Sequence, residues 1–255
     1  MLRTRRASGS VVARYGIGAI YAARDFALAA RSFVTDDTYR STTLLRWFKS
    51  AGVHQTTVVT WMDRYPTIFS ACRDFFAGVP DIRILSFGCS SGEEVLTLRQ
   101  YFPTAYITGA EINPRNLTRC RQLKVDDRIA FVHSERAAIE RLGPFDLIFC
   151  MAVLQRTPHK VQSEGITSLK EIYPFEKFDR QISELDAFLK KDGLMVIHHT
   201  QYLFTDSSVA TKYDVLDWID GLGAEQGSDG PKFDRNSALI GNAARDKSIY
   251  RKTAS

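Results

Sequence analysis

The sequence predicts an α/β protein with a doubly wound parallel sheet, preceded by a helical N-terminal extension. Three observations carry this. From Asp81 onward, short apolar runs alternate with stretches of helical spacing, the pattern of strands joined by crossover helices. The runs at 82–87, 105–110, 129–133, 145–150 and 194–199 are apolar without strict alternation, as expected of strands covered on both faces. The first run passes at once into a Gly- and Ser-rich turn that opens a helix, Gly88-Cys89-Ser90-Ser91-Gly92-Glu93-Glu94. In such sheets ligands sit beyond the carboxyl ends of the strands, next to that turn.

Taken in order, residues 11–33 mix apolar and basic positions compatible with a helix, weakened by Gly16 and Gly18. Asp36 and Asp37 are N-caps for a second helix bearing Leu44, Leu45, Trp47 and Phe48, stopped near Gly52. A polar stretch, His54-Gln55-Thr56-Thr57, leads to a helix that begins at Tyr65-Pro66 and ends at Gly78; proline suits a first helical position. Within the sheet region a helix covers 92–100, Asn113 caps another with Pro114 in its first turn, and Ser134 caps the one after the third strand. Residues 155–174 carry no assignable pattern. Phe178, Ile182, Leu185 and Leu189 share one face of a helix that ends at Asp192-Gly193. A helix over 213–221 and strands near 237–240 and 247–252 complete the chain. This divides it into a basic helical extension, 1–80, and a ligand-binding domain, 81–255.

Composition narrows the class. With 44% hydrophobic and 25% charged residues in 255, the chain has the make-up of a globular protein rather than a disordered one. No apolar run approaches the roughly 18–20 residues that a spanning helix needs. The four cysteines, Cys72, Cys89, Cys120 and Cys150, show no C-x-x-C pair, which argues against structural zinc and for a reducing, cytoplasmic setting. The net charge of +5 is uneven: residues 1–80 hold 11 Lys+Arg against 5 Asp+Glu, and the remainder is nearly balanced. Arg3, Arg5, Arg6 and Arg14 precede the first acid, Asp25. A transit peptide, a basic arm for an acidic partner and a solvated helix face all share that composition. No aromatic-interleaved basic motif points to nucleic acid.

The glycine turn separates two ligand classes. A dinucleotide fingerprint starting at Gly88 requires glycine at 90 and 93, where the chain has Ser90 and Glu93. Glu93 and Glu94 open the helix where a pyrophosphate would have to sit, and they would repel it. An adenosine ligand with a cationic end and no phosphate fits better, and S-adenosyl-L-methionine (SAM), with its ammonium and sulfonium, is such a ligand. An ordinary ligand-free Gly/Ser turn is the plain alternative. Glu111 stands just past the second strand, where an acid accepts hydrogen bonds from ribose hydroxyls, followed by Ile112. Ser134 and Glu135 follow the third strand, placed to touch the adenine edge. Cys150, Met151 and Ala152 follow the fourth, where the methionine moiety would lie.

The loop x-x-G-x-[GS]-x-G, matched by Gly88, Ser90 and Gly92, resembles that of class I SAM-dependent methyltransferases, which implies a Rossmann-like, seven-stranded sheet. Several stretches are similar to one branch, the chemotaxis-receptor glutamate (CheR-type) methyltransferases. Cys89-Ser90-Ser91-Gly92-Glu93-Glu94 resembles its C-S-T-G-E-E, and Phe149-Cys150-Met151-Ala152-Val153-Leu154 its F-C-R-N-V-L. Residues 178–201, with Leu189-Lys190-Lys191-Asp192-Gly193 and His199-Thr200-Gln201, resemble its helix, L-K-P-D-G turn, strand and G-H-S-E. Gln55-Thr56-Thr57 lies near its N-x-T. The resemblance covers roughly 54–204 and implies that Glu93 holds the methionine ammonium and Glu111 the ribose. The chain also departs from the branch. Met151-Ala152 replaces Arg-Asn, Gln201 replaces Glu, and Val59-Thr60-Trp61-Met62 stands for F-F-R-[DE], leaving Arg64 as the nearest arginine. About 15 extra residues follow Leu154.

Methyl transfer is an in-line displacement in which alignment does most of the work, and a base is needed only for a hydroxyl or protonated-amine acceptor. His198 and His199 are the base candidates, and Tyr202 and Gln201 could orient an acceptor. The expected activity is methyl transfer to a small molecule or an acidic protein. Two alternatives stay open: a SAM-binding regulatory protein without turnover, and a nucleotide-dependent oxidoreductase on a similar sheet.

Overall fold

The computed structural model describes residues 24–48, 52–55, 60–216, 230–241 and 247–254. The chain forms two compact units, divided between Lys49 and Ser50. In the first, a helix over 24–35 (α1) is followed by α2, Asp37–Phe48. The Asp36 carboxylate accepts the Tyr39 N–H at 3.0 Å, capping α2 as its sequence position suggests. Phe33 stacks on Trp47 with ring centroids 6.2 Å apart. Residues 11–23 of the expected first helix lie outside the described residues.

The second unit takes in α3, Pro66–Phe75, so the boundary expected at residue 80 falls inside it. The reason is packing: Ile68, Phe69 and Cys72 of α3 are buried with sheet residues. The sheet elements follow in chain order as β1 Arg83–Phe87, α4 Glu93–Tyr101, β2 Tyr106–Glu111, α5 Pro114–Arg121, β3 Ile129–His133, α6 Arg136–Glu140 and β4 Phe145–Met151. Then come α7 Pro158–Ser163, α8 Phe175–Phe188, β5 Leu189–His198, β6 Tyr213–Val215, β7 Lys232–Phe233, β8 Leu239–Gly241 and β9 Ile249–Lys252. Seven strands make one sheet in the order β3-β2-β1-β4-β5-β9-β6, parallel except that β9 runs antiparallel to β5 and β6. It is the doubly wound, Rossmann-like sheet expected from the alternating pattern.

Alternation along each strand sorts side chains to two faces. Ile84, Ile107, Leu147, Phe149 and Val196 pack under α3, α4 and α5, while Leu85, Ile148, Cys150 and Met195 pack under α6 and α8. Order reverses at β1, which has β2 on one side and β4 on the other. That switch point opens a crevice at the carboxyl ends of the strands.

Several local expectations are corrected. Tyr213 begins a strand, not a helix: β6 pairs with β9, and the Tyr213 hydroxyl donates to Asp186 at 2.7 Å. Asp186 also meets Lys212 and Lys252, each at 2.9 Å, which anchors this edge to α8. Residues 217–221 of the expected helix are outside the described residues. The segment near 237–240 does not pair with the last strand; β8 forms a separate hairpin with β7. The α8 helix ends at Phe188 rather than at Asp192-Gly193, because Leu189 already pairs with Phe145. Residues 155–174 contain α7 and bury Leu169 and Tyr173, held by contacts with residues far along the chain: Leu169 N–H to Ser237 O (2.8 Å) and Leu239 N–H to Thr167 O (2.9 Å).

Residues 52–55 are strapped onto this unit. His54 is buried, with Nδ1 2.6 Å from the Tyr173 hydroxyl and Nε2 3.2 Å from Gln181 Oε1. Gln181 Oε1 can only accept, so Nε2 carries the proton and Nδ1 accepts from Tyr173. Lys177 Nζ donates to Val53 O at 2.8 Å, and Arg156 Nη1 to His54 O at 3.2 Å. Burial first, then the Lys177 charge, lowers the His54 imidazole from 6.5 to about 4. Between those values the unfolded chain binds more protons, so stability is lost as pH falls from 6.5 toward 4, by on the order of 3 kcal/mol. Glu94 and Glu111, raised from 4.5 to about 7, act in the opposite sense above 4.5. The difference between wild type and His54→Gln in urea unfolding isolates the imidazole: the wild-type advantage should shrink as pH falls from 7 to 4.5, whereas parallel profiles would refute this coupling.

Candidate functional site

The turn after β1 is shaped by three left-handed residues, Gly88 (φ 79°), Ser90 (φ 53°) and Gly92 (φ 102°). A Cβ on Gly88 would stand 2.5 Å from Val153 Cγ2, and one on Gly92 2.6 Å from Leu123 Cδ1. Both glycines are therefore required by backbone angle and by space. Gly88 and Cys89 N–H donate to Ala110 O at 2.8 and 3.1 Å, stitching the turn to the end of β2.

Glu111 ends β2 and completes that stitching. One carboxylate oxygen accepts the Ser90 N–H at 2.9 Å, the other the Asn113 N–H at 2.6 Å. Burial raises its carboxyl to about 7 against the pull of these N–H groups. Each oxygen keeps a further lone pair. Ile112 follows, half-buried, and a Cβ on Gly52 would stand 3.2 Å from its Cδ1. The strap of residues 52–55 therefore passes beside it.

The two acids of α4 divide. Glu93 is tied locally by the Ser91 hydroxyl, which donates at 2.9 and 3.1 Å. Glu94 is enclosed by protein on nearly every side yet keeps a path to solvent, and its carboxylate accepts from the Ser86 hydroxyl at 2.7 Å. Burial lifts Glu94 to about 7, opposed by the Ser86 bond and the Arg64 charge. The deep acid of the crevice is thus Glu94, where the sequence comparison had pointed to Glu93. The Ser90 hydroxyl is buried without a hydrogen-bond partner among the described residues.

The other candidates fall in several places. The Cys89 thiol turns into the core beside Cys120, leaving only its backbone to the turn. Cys150 is fully buried in the opposite core and its thiol is pushed well up by burial; Met151 is buried at the end of β4. Neither side chain is open to solvent at the crevice. Ser134 sits beside Glu111, its N–H on Glu111 O at 3.2 Å, while Glu135 takes the N-cap position of α6 in its place and is exposed.

At the end of β5, His198 is buried with Nδ1 2.7 Å from Ser248 Oγ. His199 is half-buried with φ 53°, and the two rings lie 4.1 Å apart. Tyr202 is withdrawn from any acceptor role. Its hydroxyl donates within the core, 2.5 Å from Tyr173 O and 2.9 Å from Ser237 Oγ, and its ring packs on Phe175 and Phe178. Tyr65, read from the sequence only as the residue before a helix-starting proline, packs instead against His198 and His199 at 5.2 and 5.7 Å. Arg64 lies over both Trp61 and Tyr65, at 4.5 and 5.0 Å. Among the described residues no cluster of three metal-binding side chains occurs, and no helix is long and apolar enough to cross a membrane.

Residues 84–193 match the model of a family described as a methyltransferase domain. No curated protein matches the chain. Among solved structures, it is similar to the plantazolicin methyltransferase BpumL bound to SAH, at 13% identity and TM-score 0.39, over 65% of this chain and 55% of that one. It is similar to CalS10 from Micromonospora echinaspora, an amino pentose methyltransferase bound to SAM, at 16% identity and TM-score 0.39, over 64% and 57%. A third is a putative caffeoyl-CoA O-methyltransferase from Staphylococcus aureus, at 15% identity and TM-score 0.36, over 68% and 70%. The chain thus spans a little over half the length of the first two. These loose likenesses carry no argument; the family match and the crevice do. The match spans β1 to the middle of β5, the part of the sheet that carries the glycine turn and Glu111.

Gly88→Ala should lower stability by about 2 kcal/mol or more, since a left-handed non-glycine costs about 1–2 kcal/mol before any clash. Val153→Ala in the same chain should recover only the steric part. Equal melting temperatures for wild type and Gly88→Ala would refute the assigned turn geometry.

Proposed function

We propose that the protein transfers a methyl group from SAM to a small-molecule acceptor. The observation that carries this is the phosphate-repelling carboxylate of Glu94 just after a glycine turn that is clamped by a ribose-type acid, Glu111, with the Ser90 hydroxyl, unpartnered among the described residues, between the glycines. These residues fit SAM: Glu94 and Glu93 meet its ammonium, Glu111 its ribose hydroxyls, and Ser90 with the backbone of Gly88–Gly92 its polar edge. Ile112, Ser134 and Glu135 border the adenine. Cys150 and Met151 contribute backbone and core rather than solvent-facing side chains. The cofactor supplies a methyl carbon already activated by its sulfonium. The residues of this chain align the acceptor with it, and alignment in well-held cases is worth effective molarities of about 10⁵ M or more.

A hydroxyl or ammonium acceptor must lose a proton, and His199 takes it. His198 is the more buried of the two rings, its Nδ1 paired with Ser248, and His199 is the more accessible. The matched family is the general methyltransferase domain, and nothing in it supports the receptor-glutamate branch. The crevice also departs from that branch, with Arg64 held between two rings rather than at the branch's arginine position. The oxidoreductase alternative gains no support, because Glu93 and Glu94 occupy the helix start that a pyrophosphate would need; the reading without turnover gains none either. The basic portion of residues 1–80 suits an acidic protein partner, and the four free cysteines support a reducing, cytoplasmic setting.

Calorimetry with SAM tests the site. Glu94→Gln removes a charge-assisted partner worth about 1.5–3 kcal/mol, or roughly 10- to 100-fold in affinity. Glu111→Ala should cost at least as much, because it also unties the turn. Ionised carboxylates attract the ammonium, so wild-type affinity should tighten as pH rises through about 7, and Glu94→Gln should flatten that rise. Unchanged affinity in both variants would sink the assignment.

A further inference from the structure

The start of α3 brings to the end of β5 a group that no described residue satisfies. Tyr65 is 3% exposed, yet its hydroxyl has no hydrogen-bond partner among the described residues. Leaving such a group unpaired costs about 1–3 kcal/mol, so its retention calls for a partner from outside the chain. Burial, with the Glu94 charge adding and the Arg64 charge opposing, pushes the hydroxyl up, so it remains a donor at neutral pH.

The surroundings narrow what the partner is. The Tyr65 ring joins the His198 and His199 rings in one wall, with Phe69 edge-on behind it at 6.2 Å. Trp61 and Met62, 42% and 41% exposed, lie just before it in the chain. Arg64, over the Trp61 and Tyr65 rings, adds positive charge that favours oxygen-centred anions. Two neighbouring strand ends, Ala152 (φ 56°) and His199 (φ 53°), are held left-handed and joined by the Ala152 N–H to His198 O bond at 2.8 Å. Strained non-glycine backbone of this kind clusters at functional sites.

We propose that Tyr65 is the acceptor-recognising residue, donating its hydroxyl to an oxygen of a planar aromatic acceptor with an ionisable ring hydroxyl, which lies against the Tyr65–His199 wall. The reading of the crevice as a SAM site underlies this, and the test separates the two. Calorimetry measures S-adenosylhomocysteine binding first. Catechol, aniline and cyclohexanol are then titrated into the full chain saturated with S-adenosylhomocysteine. Catechol should bind more tightly than either of the others. Tyr65→Phe should weaken catechol about tenfold, the loss of one buried hydrogen bond, while leaving S-adenosylhomocysteine affinity within twofold, which also reports that the variant is folded. Equal catechol affinity in Tyr65→Phe, or preference for aniline or cyclohexanol, overturns the proposal with the cofactor site intact. No S-adenosylhomocysteine binding by wild type overturns the cofactor reading itself.

Discussion

The carboxylate of Glu111 is the constraint on which the crevice depends. It receives the Ser90 N–H from the turn after β1 and the Asn113 N–H from the start of α5, clamping together two loops that belong to neighbouring strands. Unclamped, the turn would have to hold three left-handed residues in a row of five with its bonds to Ala110 O and from Gly92 N–H to Cys89 O. Placing that acid in a buried position is costly, and two backbone donors offset part of the cost. A site that keeps an acid there without an ion pair has left its electrostatic demand for a ligand to meet.

Glu94 shows the same economy on the other side of the turn. Its one hydrogen bond shown is to Ser86, on β1, so the strand that carries the switch point also positions the acid that faces into it. The positive end of α4 favours both Glu93 and Glu94; Glu93 is tied to Ser91 of the turn and Glu94 to Ser86 of the strand. On the acceptor side the wall is built from α3 and the end of β5, elements far apart in sequence, and the strap of residues 52–55 is fixed to α8 by His54, Lys177 and the Tyr173 hydroxyl. Residues 52–55 and the start of α3, both within the second unit, therefore lie against the sheet domain instead of standing apart from it.

Much was legible in advance. Strands β1 to β5 could be placed because burial on both faces demands continuous apolar runs, and the Asn113-Pro114 start of α5 because capping and proline chemistry are local. The turn and Glu111 could be identified because backbone angle and hydrogen-bonding demand restrict residue type within a few positions. The errors share one cause. Tyr213–Val215, residues 155–174 and β8 take their conformation from partners tens of residues away, and Tyr202 has its hydroxyl consumed by Tyr173 and Ser237, which no local pattern announces.

The linear chain alone determined the layered α/β architecture, the left-handed turn and the paired acids on which the proposed adenosine-bearing, cationic ligand rests, since propensity, periodicity and charge act over short distances. Tertiary structure decided that Glu94 of the two adjacent glutamates pairs with Ser86 of β1, that the Tyr202 hydroxyl is spent in the core while that of Tyr65 has no partner among the described residues, and that the residues before Asp81 divide between two units. Those choices follow from packing and desolvation, which depend on where distant segments meet.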